Sequence, residues 1–192
     1  MNRIRPTATL VGLIAVVFSL LYLLSDVIEA TQQGFSDGQL WLTLIAEAAI
    51  PAIVLGLYLV QRPKIGRLGL VSAVAYAYGY VFFTGTVVYA LVKSSTDYTA
   101  LSADLSPWMT VHGAIMVLAG LGFSRAVSKA GVLPRWTCVA LSCGVVLVAL
   151  SQGLPAGVQV LAAAIRDLGF IGMGGALLHA RAGVALSPAA GP

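Results

Sequence analysis

Six apolar runs follow one another along the chain with little between them, and that succession decides what it can fold into. They cover residues 7–27, 39–60, 68–92, 107–124, 136–153 and 156–179. Crossing ~30 Å of hydrocarbon takes about 20 apolar residues as a helix, so each run is of spanning length. In lipid a segment must satisfy its own backbone N–H and C=O groups, and a run of this length does so as an α-helix. The expected fold is all-α: a polytopic transmembrane bundle of six spans forming one domain over residues 1–182, with a disordered tail at 183–192.

Composition closes off the alternatives. The chain is 59% hydrophobic and 9% charged, against about 25% charged in soluble domains, so it lacks the polar residues to cover a soluble surface. Its net positive charge does not point to nucleic acid, because the basic residues fall in short loops rather than in one patch. Cys138 and Cys143 lie on different faces of a predicted helix and read as small apolar filler, so neither metal nor cofactor is expected. The opening "MNRIRP" has the basic start of a signal peptide. The apolar run after it exceeds the usual ~7–15 residues and lacks a small-x-small cleavage site, so it reads as a retained first span.

Lysine and arginine placement predicts the orientation. One side collects Arg3, Arg5, Arg62, Lys64, Arg67, Arg125, Lys129, Arg135 and Arg181. The other has Lys93 alone, among Asp26, Glu29, Asp37, Asp97 and Asp104. The alternation holds through all six runs and places both termini on the cytoplasmic side. Trp41, Trp108, Trp136 and Tyr89 fall near span ends, where amphipathic rings prefer the headgroup level.

Four ionisable residues lie within the runs and away from their ends: Glu47, His112, Arg166 and Asp167. Such groups face a bundle interior and are functional candidates by default. By helical rise Glu47 lies roughly 12 Å in from the acidic side, His112 roughly 8 Å, and Arg166 and Asp167 roughly 15–17 Å. All four can therefore share one half of the bundle, with Asp26 and Glu29 at its rim. Pro51 has no N–H, so the carbonyl of Glu47 loses its helical partner, and an acid and a free acceptor share one turn. Adjacent Arg166 and Asp167 leave the helix about 100° apart, and the expected arrangement pairs Arg166 with Glu47 and leaves Asp167 to another partner. This is either an ion-pair network locking the bundle or a site for a proton or ligand.

Other polar residues suggest a lining. Ser72, Tyr76, Tyr80 and Thr84 recur every four residues and form one stripe, with Tyr78 and Phe82 facing elsewhere. The stripe serves either helix–helix hydrogen bonding or a pocket. His112 is a proton carrier, a ligand contact or a satisfied core histidine. His179 lies at a helix C-terminal end that suits a cation, and takes no role. Gly169, Gly172 and Ala176 share one side and let a neighbouring backbone approach.

The stretch "AGVLPRW" before the fifth run, the Ile-Arg-Asp of the last, and "RPTATLVGLI" near the start carry a resemblance. Together they resemble small bacterial polytopic proteins of the DUF4386 type, loosely over most of the chain. The resemblance implies a multi-span inner-membrane protein and carries no activity or site residue with it.

Three functions follow as expectations. The first is a membrane protein that binds a lipid or apolar ligand, or is a subunit of a membrane complex or homo-oligomer. The second is an intramembrane isomerase or cyclase acting on a lipid-like substrate, with Glu47 and Asp167 as catalytic acids and His112, Arg166, Tyr76 and Tyr80 around the ligand. There, desolvation and Arg166 would separate the protonation of the two acids, and the aromatic faces would steady a carbocation. The third is a proton-coupled transporter with Glu47, His112 and Asp167 as relay.

Overall fold

The computed structural model describes residues 4–185 and is entirely helical over its long segments, with short turns between them. The helices are α1 (Ile4–Gln32), α2 (Asp37–Val60), α3 (Gly66–Lys93), α4 (Tyr98–Asp104), α5 (Trp108–Ala130), α6 (Arg135–Leu150) and α7 (Ala156–Ala185). α7 runs three residues into the segment expected to be a tail; the rest of that segment lies outside the described residues, as do Arg3 and the side chains of Arg5 and Arg181.

Five helices are long and apolar enough to cross a membrane: α1 from Pro6, α2, α3, α5, and α7 to Ala180. The fifth predicted run emerges as the shorter α6, 16 residues long, or roughly 24 Å at the helical rise. Its ends follow from local chemistry. Pro134 stands at its N-cap and Pro155 one residue before α7, where a missing N–H costs little. α5 stops at Gly131, which takes the left-handed conformation (φ 62°) that glycine adopts without a Cβ penalty. α2 begins at Ser36, whose side chain accepts from the N–H of Gln39, and runs without interruption through Pro51. α4 has no counterpart among the apolar runs; Asp97 caps it by accepting from the N–H of Ala100 at 2.9 Å.

The long helices form a closed ring. Each packs mainly on its neighbours in chain order, and α1 closes the circle on α7. Short connections make neighbours antiparallel, which gathers the acidic residues at one end and the basic residues at the other. α4 lies at the acidic end, where Leu101 packs with Leu40, Val87 and Ala90. The ring is filled by Ile50, Ile53 and Leu57 of α2, Tyr76 and Tyr80 of α3, Phe123 of α5, Leu141 of α6, and Phe170 and Met173 of α7. Tyr76 and Phe170 meet across the centre, their rings stacked at 6.2 Å.

The outward surface is apolar. On α1 the exposed large apolar residues are Leu10, Leu13, Val17, Leu20, Leu24 and Val27, a stripe at spacings of three and four that marks one helix face. α3, α5 and α6 likewise expose Val71, Val81, Leu118 and Val139. Contiguous apolar surface of this extent is unsuited to water and suited to lipid. The chain is a membrane-embedded helical bundle.

Candidate functional site

The polar interior starts with the sequence of α1. Ser19, Tyr22, Ser25, Asp26 and Glu29 recur at spacings of three and four, one face of an otherwise apolar helix. Gln39, Thr43 and Glu47 do the same on α2. Because the helices run antiparallel, the faces meet rung by rung: Glu29 with Gln39, Ser25 with Thr43, Tyr22 with Glu47.

At the acidic end the amide nitrogen of Gln39 donates to Thr43 Oγ1 (2.9 Å), Ser25 Oγ (3.3 Å) and the Glu29 carboxylate (3.4 Å). The hydroxyls of Ser25 and Thr43 are hydrogen-bonded to each other. One turn deeper the Tyr22 hydroxyl donates to Glu47 Oε1 at 3.1 Å. The other carboxyl oxygen of Glu47 is buried without a partner.

α7 brings the charge. Arg166 is 5% exposed and Asp167 is fully buried. The guanidinium grips the neighbouring carboxylate with two bonds, Nε to Oδ1 at 2.9 Å and Nη2 to Oδ2 at 3.1 Å. Nη2 also lies 3.6 Å from Asp26 of α1. The guanidinium sits over the ring of Tyr22, 4.5 Å from its centroid, a cation–π arrangement.

The predicted pairing of Arg166 with Glu47 is therefore corrected. The 100° divergence of adjacent residues holds at Cβ, but the arginine stem is long enough to curl back, and its planar fork matches both oxygens of one carboxylate. Tyr22 stands between the cation and Glu47 and touches both.

The tyrosine stripe divides as its spacing implied. Tyr76 and Tyr80 are fully buried, with ring centroids 5.2 Å apart. The two hydroxyls interact with each other, and neither has a hydrogen-bond partner beyond the pair. Tyr80 lies within electrostatic reach of Arg166, Asp167 and Glu47. Thr84 turns back to its own helix, donating to the carbonyl of Tyr80.

His112 lies in the same half of the bundle but does not join this cluster. It packs on the opposite face of α3, flat against Phe82 at 3.6 Å with 6° between the rings. The carbonyl of Trp108, 2.9 Å from Nδ1, can only accept, so Nδ1 carries the proton. Nε2 is hydrogen-bonded to the Tyr78 hydroxyl at 3.0 Å. Both ring nitrogens are occupied, and Tyr78 and Phe82, expected only to face elsewhere, are what occupy and cover the imidazole.

The small residues of α7 meet α6. A Cβ at Gly144 would overlap the backbone of Arg166, and one at Gly169 would come 2.8 Å from the backbone nitrogen of Leu141. Backbone contact at Gly144 fixes the height of Arg166 in the ring. Outside it, an apolar groove of about 130 Å³ runs between α6 and α7 past Leu147, Leu150, Val158, Leu161, Ala162 and Ile165. Ala162 lies one turn from Arg166 on the same helix face.

Sequence reading misses Tyr22, Ser25, Gln39 and Thr43. The signal is present as polar residues three and four apart in apolar helices, but only the antiparallel pairing of α1 and α2 turns two stripes into one seam. Comparison with protein-family models, with curated proteins and with solved structures gives no match.

Proposed function

We propose that this protein binds an amphiphile within the membrane, with the polar head at the Glu47–Arg166 cluster and the apolar part in the groove between α6 and α7. One observation carries the reading. The second oxygen of Glu47 is buried without a partner, and the hydroxyls of Tyr76 and Tyr80 have none beyond each other, in the same polar centre. Leaving such a group unsatisfied costs about 1–3 kcal/mol, which a ligand's hydrogen bonds offset. The polar seam reaches the acidic end alone, and toward the basic end the ring closes with Ile53, Leu57, Phe123 and Met173. A seam open to one side favours a binder over a transporter.

The same proposal takes the chain across the membrane six times, with α6 the short crossing and both termini cytoplasmic, in a bacterial inner membrane. Likeness to the DUF4386 type, and assembly with a second copy or a membrane complex, belong to it too. The test is mass spectrometry of molecules co-purifying with the full chain and with Glu47→Gln and Tyr80→Phe. Loss or exchange of an amphiphile in the variants is expected. Identical profiles in all three would sink the reading.

A further inference from the structure

The charges of the cluster do not balance. Three carboxyl side chains, Asp26, Glu47 and Asp167, converge on it. Among the described residues Arg166 is the one buried guanidinium or ammonium. Its two short bonds go to Asp167, so that pair neutralises itself. Asp26 holds the arginine only at 3.6 Å, and Glu47 has a tyrosine hydroxyl and no cation. An ionised carboxylate in an apolar interior costs many kcal/mol unless paired. Charge balance requires a proton or a cation at each of these two acids.

The surroundings suit a cation. The titratable and charged groups that act on Glu47 are Tyr22 and Asp26 of α1, Tyr80 of α3, Tyr98 of α4 and Arg166 of α7; Glu29 lies two turns up the seam. His112 is turned away on the far side of α3. The ring faces of Tyr22 and Tyr76 are taken by Arg166 and Phe170, so an organic ammonium group would be recognised here by the unpartnered oxygen of Glu47 and the nearby hydroxyl of Tyr80. An anionic head would instead meet three carboxyls, with the arginine already taken.

We infer that the ligand is a lipophilic organic cation, an amine or quaternary ammonium amphiphile, which enters beside Glu47 as a proton leaves. This inference rests on the amphiphile reading and names its charge. The exchange balances: the Glu47 carboxyl loses its proton as the ammonium arrives, and the interior keeps its net charge. Thr43, Ser25, Gln39 and Glu29 line the way from Glu47 to the acidic end, so the proton has a polar route out on that side alone.

The experiment uses the full chain in an uncharged detergent, with decyltrimethylammonium and decyl sulfate as probes below micellar concentration. They match in chain and oppose in charge. Calorimetry is expected to show binding of the ammonium alone. Its affinity should rise with pH by up to about tenfold per unit while one proton is displaced. A weakly buffered solution should gain roughly one proton for each cation bound. Glu47→Gln should weaken binding and remove the pH dependence. Should that variant fail to fold, proton release by the unaltered protein decides alone. Preference for the sulfate, or ammonium binding without proton release, overturns the cation inference and leaves the amphiphile reading standing. The cation inference also falls, and the amphiphile reading stands, if neither probe binds while the co-purifying molecules still change in Glu47→Gln. If neither probe binds and that profile is unchanged, both fall together.

Discussion

The guanidinium of Arg166 lies over the ring of Tyr22, 4.5 Å from its centroid. The same tyrosine donates its hydroxyl to Glu47. One side chain therefore serves the buried cation of the cluster through its ring and a buried acid through its oxygen. The two services can be separated. Tyr22→Phe keeps the ring and leaves both Glu47 oxygens unpartnered, which should cost about 1–3 kcal/mol. Tyr22→Leu should cost roughly 0.5–2 kcal/mol more through the lost cation–π contact. Thermal unfolding in detergent should rank native above Phe above Leu; equal losses would mean that the ring contributes nothing.

Arg166 and Asp167 form a buried pair with two bonds. Asp167→Asn strands the guanidinium and should cost about 3–5 kcal/mol. Removing both charges, as Arg166→Met with Asp167→Asn, should be milder than the single change, because no guanidinium is left without its carboxylate. A double variant less stable than Asp167→Asn would show that Arg166 is held by Asp26 and Tyr22 instead.

Gly144 allows α6 to touch the backbone of Arg166. Gly144→Ala should push the helices apart at a cost of about 1–3 kcal/mol. Gly175 on α7 has open space around it, and Gly175→Ala should be neutral or stabilising by up to about 1 kcal/mol through helix propensity. Melting temperatures of the two variants, measured side by side, should move in opposite directions or at least differ clearly in size. Equal shifts would remove the close-approach argument.

Asp97 lies outside the long helices. The N–H of Ala100 and the hydroxyl of Thr96 bond its carboxylate and lower its pKa from the ordinary 3.8. The folded carboxyl gives up its proton more readily than the unfolded one. Its contribution to capping α4 is thus complete above the unfolded value of about 3.9 and disappears as the pH falls through the lower, folded value. Amide exchange at Ala100, corrected for the intrinsic rate, should lose protection in that acid window. In Asp97→Asn the protection should be independent of pH; protection lost equally in both would place the acid sensitivity elsewhere.

Hydrophobic patterning alone makes the chain a helical membrane bundle, because about 20 apolar residues in a row have one way to satisfy their backbone in lipid. It also places Tyr76 and Tyr80 on one buried stripe and Glu47, Arg166 and Asp167 in one region, since helical period and rise are local quantities. It does not reveal α4, whose seven residues carry too little pattern. Partner choice is beyond it as well. Whether Arg166 turns to Glu47 or curls back to Asp167 depends on what stands between them, and Tyr22 arrives from a helix more than a hundred residues away in the chain. His112 differs from Glu47 in the same way: both are ionisable groups at similar depth, and only the face of α3 against which each packs separates a satisfied imidazole from an open carboxyl. Depth follows from counting residues along one helix, whereas contact follows from how the helices close into a ring, and only the tertiary structure holds that closure.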